Sequence, residues 1–395
     1  MIKIVSMTFL LVMVCGSTFG GESVAPLNDS LYLSAPVVID NVTVWPVYSK
    51  KPPQAVSDYM TLDQAQKQNL AFVREIGAAA QDGAANAVAA EPAIQAPAQV
   101  QNPAVQAQQE IPALQARQQL RGEIDGIVNQ LVIENKGEKA ILVLAGTIVK
   151  GGKQDRQIAQ DFIIPPGKTM PVAAFCIEHG RWTAHREGAQ TNGHFQAQDV
   201  LANKEVRDKG QFKNSQQEVW DNVSTANLAN SKSPTTGTLL ATVEETDKDA
   251  LARRERIKKT VGDKFAELAQ SPDAPVGLAY AVDGKIREIR SFAHSKILGQ
   301  YRETLLNTIA MEGDQAQRKA VAQKKDIFKQ AAPHQQCVEL VTNAEKLKEE
   351  QQKFLGNDNG YRKDGMVWNA NLYSKEASNP SASITPLSQA FTPAE

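Results

Sequence analysis

Between residues 126 and 182 the chain packs apolar runs and tight-turn signals so densely that antiparallel sheet is the structure best able to hold them. "GIVNQLVIENKGEKAILVLAGTIVKGG" has two apolar runs separated by Asn135-Lys136-Gly137-Glu138, and Gly151-Gly152 closes the second. "IAQDFIIPPGKTMPVAAFCIEHGRW" repeats the arrangement with Pro165-Pro166-Gly167 at its turn. Short runs rich in Val, Ile and Leu, bounded by Gly, Pro and Asn, read as strands joined by hairpin turns. The expectation is four sequential strands in a meander or on one face of a sandwich.

The rest of the chain supplies fewer strands and more helix. "LYLSAPVVIDNVTVWPVYS" (31–49) reads as one or two strands, with Pro46 at an edge or an end. In "TLDQAQKQNLAFVREIG" (61–77), Thr61 and Gln64 form a capping box, and Leu62, Ala65, Val73 and Ile76 lie on one face of a helix ending near Gly77. After residue 199 the helical period dominates: Val219, Val223 and Ala226 line one face, and Ile257, Val261, Phe265 and Leu268 another. The second face carries the basic run "RRERIKK" (253–259), which reads as solvated surface. "VGLAYAVDGKIREIRSF" is a hairpin turning at Asp283-Gly284, followed by a helix over about Ser295 to Met311 and two polar helices split at Pro333. A last pair of short strands lies in "NDNGYRKDGMVWNANLYSK". The fold class is α+β, an antiparallel β-sheet or sandwich-like core with helices concentrated in the C-terminal half.

Both ends and one internal stretch read as non-core. Lys3 precedes an apolar stretch from Ile4 to Val14 and then small residues, the pattern of a signal peptide over residues 1–20, cleaved after Gly20. That places the mature chain outside the cytoplasm, secreted or periplasmic. Val14, where a lipoprotein signal needs a small residue, argues against a lipid anchor at Cys15. No later segment is long enough to cross a bilayer, so no transmembrane segment is expected. Residues 77–119 are almost entirely Ala, Gln, Pro and Asn, too poor in large apolar side chains to offset the entropy of ordering, and read as a disordered insertion. The Ser/Pro-rich tail, residues 377–395, reads the same way. One α+β domain over residues 21–376 remains.

Charge and cysteine content exclude several functions. The chain has 43 Lys and Arg against 44 Asp and Glu, too balanced for a nucleic-acid partner. Cys176 and Cys337 allow at most one disulfide in the mature chain, and each reads as a small buried hydrophobe. Glu178, His179, His185 and His194 lie near one another in sequence without the spacing of a metal site, so no metal is expected. Neither a Gly-x4-Gly-Lys phosphate loop nor a Gly-x-Gly-x-x-Gly dinucleotide loop occurs, and no cofactor is expected.

The candidate chemistry lies in "GGKQDRQ" (151–157) and "CIEHGRW" (176–182), each ending a strand. If those strands are neighbours, Gln154, Asp155 and Arg156 meet Glu178, His179, Arg181 and Trp182 on one rim. Two carboxylates, two guanidiniums and an imidazole can do acid/base work, with Glu178 and His179 as the catalytic candidates, or can grip an anionic ligand. Equally, Arg181 or Arg156 pairs with Glu178 to cap strand ends while Trp182 fills an edge. The leading reading is a non-catalytic module binding a small molecule or a protein through Gln154, Asp155, Arg156, Glu178, Arg181 and Trp182. The alternative is a hydrolase of a phosphate- or ribose-containing small molecule, with Glu178 as base and Arg156 and Arg181 holding the anion.

The order of "NVTVWPVY", "YMTLDQAQ", "VLAGTIVKGGKQDR", "IPPGKTMPVAAFCIEHGRW", "VGLAYAVDGKI" and "VWNANLYSK" resembles a bacterial family of uncharacterised function, the ARG and rhodanese-phosphatase-superfamily-associated protein domain. The resemblance spans about residues 31 to 376. It implies one domain interrupted by the 77–119 insertion. The family's name implies a connection with ADP-ribosylglycohydrolases and phosphatase-like proteins, and hence with ADP-ribose or nicotinamide nucleotides. Asp155 stands where the family pattern has Asn between Gln154 and Arg156, which bears on any anion-binding role there.

Overall fold

The computed structural model describes residues 23–52, 56, 58–76, 129–186, 188–346, 350–351, 360–363, 367–372 and 386–394. The leading segment, the 77–119 stretch and residues 377–385 lie outside these. Described strands open the chain at Ser23–Pro26 (β1), Leu31–Ser34 (β2), Val37–Ile39 (β3) and Val42–Ser49 (β4). Pro46 sits inside β4, not at an edge. It falls between the residues paired with β3 and those paired with β2, where its missing N–H breaks no ladder on that flank.

Tyr59–Thr61 (β5) leads into helix α1 (Leu62–Lys67), where the Thr61 side chain accepts the Gln64 N–H and Gln64 accepts the Thr61 N–H. The helix is shorter than its pattern implied. Asn69 turns the chain through a left-handed conformation (φ 57°), and Ala71–Glu75 continues as strand β6.

The β-dense stretch forms Gln130–Asn135 (β7), Ala140–Val143 (β8), Thr147–Gly151 (β9), Arg156–Ile158 (β10), Phe162–Ile164 (β11) and Thr169–Cys176 (β12). A small hairpin, His185–Arg186 (β13) with Ala189–Gln190 (β14), precedes His194–Leu201 (β15). The two expected hairpins do not form. Instead β10, β12, β7, β6, β15 and β9 join in that order into a closed barrel, while β8 pairs with β11 and β5 in a separate sheet. The Asn135 side chain is one reason: it accepts the Gly137 N–H and donates to the carbonyls of Lys139 and Ile164, turning the chain out of the barrel after β7. Turn residues marked where strands stop, not which strands pair.

Helices α2 (Lys204–Gln211), α3 (Gln216–Ala229), α4 (Leu240–Val243) and α5 (Lys248–Leu268) follow. Then come Gly277–Val282 (β16), Lys285–Phe292 (β17), α6 (Ser295–Ala322) and α7 (Gln335–Lys346). Asp283 and Gly284 take positive φ (50° and 75°), as a two-residue hairpin turn requires. α6 runs eleven residues past the expected Met311, absorbing the first of the two polar helices. Glu350–Gln351 (β18), Gly360–Lys363 (β19), Val367–Leu372 (β20) and Ser388–Pro393 (β21) end the described chain. β21 corrects the expectation for the tail: it pairs with β17 and β20 inside the large sheet, and Leu387, Ala390 and Phe391 are buried.

That sheet runs β1-β2-β4-β16-β17-β21-β20-β19-β18, with β3 also on β4. Val42, Val44, Leu278 and Tyr280 pack in one core with Ile257 and Val261 of α5 and Tyr301 of α6. Their neighbours Trp45, Val47, Ala279 and Ala281 pack in another with Cys337, Leu340 and Val341 of α7. Helices thus cover both faces, so β4 and β16 are buried along nearly their whole length rather than at alternate positions. The barrel has its own interior of Val73, Leu131, Ile133, Val149 and Val172, while Phe175 on the outside of β12 and Ile177 just after it pack against Val219 and Val223 of α3.

Barrel and sheet meet across a buried charged seam. Arg207 of α2 bonds Glu288 of β17, and Arg290 bonds Glu288 and Asp161, with all four side chains buried. Among the described residues no helix is long and apolar enough to cross a membrane. Cys176 and Cys337 are both buried, and neither forms a disulfide among the described residues.

Candidate functional site

β10 pairs with both β9 and β12, aligning Arg156 with Cys176, so the segments after β9 and after β12 lie side by side at one end of the barrel. Two glycines let the chain pass. A Cβ on Gly151 would lie 2.2 Å from the His194 carbonyl oxygen, and one on Gly152 would lie 2.1 Å from the Phe195 ring, with φ at +141° and +48°. No other residue fits either position without moving β15.

The charged residues form one closed network. Arg181 donates from Nε to both Glu178 oxygens (3.1 Å each), and from Nη2 to Glu178 Oε2 (2.8 Å) and the Gly151 carbonyl (2.9 Å). Its Nη1 donates to the carbonyls of Gly152 (2.7 Å) and Thr183 (3.0 Å). All five N–H groups of the guanidinium are thereby engaged. Asp155 accepts from Arg186 Nη1 at 2.6 and 2.5 Å, from the Gly151 N–H at 3.0 Å and from the Thr238 hydroxyl at 2.8 Å. Its own N–H donates to Glu178 Oε2 at 3.0 Å. Asp155, Glu178 and Arg181 are buried, and the two acids balance the two arginines.

Burial alone would raise the Glu178 pKa, but hydrogen bonds from Arg181 and Thr236 outweigh it and hold the carboxyl below its ordinary range. Burial and the Glu178 charge push Asp155 upward, opposed by Arg186 and Thr238. A general base needs an open lone pair and a pKa near the working pH. Glu178 is engaged by Arg181, Thr236 and the Asp155 N–H, and its pKa lies on the wrong side.

The other expected members have separate fates. Gln154 donates to the His179 carbonyl (3.2 Å) and accepts from Arg156 Nη1 (3.2 Å). Arg156 is buried too, yet its Nε has no partner and no carboxylate pairs with it among the described residues. His179 is exposed, its ring edge-on to Trp220 at 4.6 Å rather than bonded to Glu178. Trp182 is 52% exposed on the segment between the two anchored arginines. Sequence therefore gathered the right residues on one rim, while the structure divides them into a saturated brace, the buried Gln154 and Arg156 outside it, and the exposed Trp182.

Three partners escaped the sequence reading: Thr236, Thr238 and Arg186. Thr236 and Thr238 lie in an irregular segment and Arg186 in the two-residue strand β13, where no periodicity marks a side chain that turns inward. Among the described residues no group of His, Cys, Asp and Glu could hold a metal ion.

A family model described as the ARG and Rhodanese-Phosphatase-superfamily-associated Protein domain matches residues 30–379. No curated protein and no solved structure matches the chain.

Proposed function

The chain belongs to the ARG and Rhodanese-Phosphatase-superfamily-associated Protein domain family, and from that premise we propose that it is an exported, non-catalytic binding module whose contact face is the barrel end around Trp182. The observation that carries this reading is the exposure of Trp182 on a segment pinned on both sides, by Arg181 to Glu178 and by Arg186 to Asp155. A tryptophan held by its neighbours loses little freedom when it is covered, which is how aromatic anchors come to dominate binding energies. Arg156 adds a counter-charge for the ligand. A buried guanidinium without a carboxylate favours an anionic group brought to it. The same arrangement disfavours hydrolysis, because Glu178 is committed to Arg181 and to the Asp155 N–H.

Export rests on the leading segment, with its single lysine, apolar stretch and small residues. The test is a thermal-shift screen of the mature chain against nucleotides, sugar phosphates and carboxylates, repeated with Trp182→Ala and Arg156→Met. A ligand that raises the melting temperature of the parent but of neither variant supports the reading. Turnover of any of these compounds, abolished by Glu178→Gln in a folded variant, would sink it in favour of the hydrolase.

A further inference from the structure

A concave site lies at the far end of α3 from the Trp182 rim, between the last turns of α3 and α6 and the first half of α5. It encloses about 720 Å³, within the range of small-molecule pockets. Its apolar lining includes Leu228, Ala229 and Val321, and its charges are Arg253, Arg318 and Lys319. Leu228 and Val321 are 69% and 64% exposed, although large aliphatic side chains are normally covered.

The cations are held in place from beneath. Buried Asp314 accepts from Arg253 Nε at 2.8 Å, from Arg254 Nε at 3.3 Å and from Arg318 Nε at 3.2 Å. Glu245, also buried, accepts from Arg318 Nη2 at 3.0 Å and from Lys232 at 2.8 Å. Among the described residues, the Nη1 groups of Arg253 and Arg318 take no part in these pairs. With Asp247, which Arg318 also approaches, three carboxylates meet Lys232, Arg253, Arg254, Arg318 and Lys319, an excess of two positive charges. The carbonyl ends of α3 and α6 offset roughly half a charge each. About one positive charge is left over beside an apolar lining. Burial lowers the Arg254 pKa, against the opposing charges of Asp314 and Glu245.

We propose that this cleft binds an amphiphilic monoanion, a medium-chain acyl carboxylate, with its chain on Leu228 and Val321 and its head group among Arg253, Arg318 and Lys319. This site goes beyond the barrel-end reading and shares no residue with it.

The experiment is isothermal titration of the full mature chain with dodecanoate below its micelle concentration, with dodecanol and acetate as comparison probes. Dodecanoate binds one to one, dodecanol at least tenfold more weakly, and acetate not measurably. Lys319→Glu and Leu228→Asp, both at exposed positions, each weaken dodecanoate at least tenfold with the melting temperature of the free protein unchanged. Trp182→Ala leaves dodecanoate binding intact, which separates this site from the barrel end. Equal affinity for dodecanol and dodecanoate overturns the proposal. So does dodecanoate binding that survives both variants, or no binding by the folded parent.

Discussion

Two arginine clusters in this molecule are built from the same parts to different ends. At the barrel mouth, Asp155 and Glu178 face Arg181 and Arg186: the charges cancel, and Arg181 has no donor to spare. Between α3, α5 and α6, Asp314 and Glu245 face Arg253, Arg254, Arg318 and Lys232, so cations outnumber acids and guanidinium groups remain open to a cleft. A balanced, water-excluded cluster fixes backbone, because removing any member strands a charge. An acid-poor cluster at a cleft instead holds positive charge where a ligand can reach it. Counting donors against acceptors separates the two roles more sharply than the presence of arginine does.

The comparison breaks most visibly at Glu178. Glu178→Gln leaves the Arg181 guanidinium buried without its counter-charge and is expected to cost about 3–5 kcal/mol in urea unfolding. Asp314→Asn should cost less, about 1–3 kcal/mol, because its arginines are partly exposed and can turn toward water. Equal losses would mean that the helical cluster is as closed as the barrel brace.

Acid sharpens the difference further. Burial raises Glu245, but Lys232, the Asp247 and Thr246 N–H groups and Arg318 together bring its pKa down to about 2. A carboxyl depressed by folding stabilises fully above its unfolded pKa, and that contribution is lost as pH falls from about 4.5 toward 2. At the barrel mouth the shifts oppose one another: acid removes the contribution of the depressed Glu178 but adds one from the raised Asp155. Hydrogen exchange through that acid window should therefore show α5 and α6 losing protection before β9 and β10. The reverse order would contradict the assignment of these roles.

Sequence made the strands, the Asp283-Gly284 turn, the Thr61 cap and the α+β class legible, since each depends on local chemistry. Pairing was not legible: nothing in the apolar runs says that β7 leaves β8 for β6 and β12, because closure of the barrel is decided by partners distant in the chain. Charged helices misled for a related reason. Lys204, Arg207, Asp208, Lys209 and Gln211 cannot be told from solvated positions by composition, yet α2, "KEVRDKGQ", is buried at every position but Glu205 because it lies on the polar seam between barrel and sheet. A Cβ on Gly210 would meet Gln157 at 2.8 Å, so the helix sits close against β10. The "RRERIKK" run divides likewise: Arg256 and Lys259 face outward, while Arg253 and Arg254 turn in to Asp314. At the rim, sequence named the residues but not their saturation, which depends on the carbonyls of Gly151, Gly152 and Thr183.

The smallest effect is also the most discriminating. Lys319 is exposed and adds to an existing positive excess, so Lys319→Glu should leave stability within about 0.5 kcal/mol of the parent. If the excess is real, the sign should favour the variant, because a new carboxylate near Arg253 and Arg318 relieves repulsion, and the gain should shrink in high salt. A destabilised variant would mean that Lys319 already balances an acid or the carbonyl end of α6. The same substitution at a balanced cluster would introduce a charge with no partner. A change that slightly steadies the fold while removing the site's charge is the behaviour expected of a cluster kept acid-poor for binding rather than for stability.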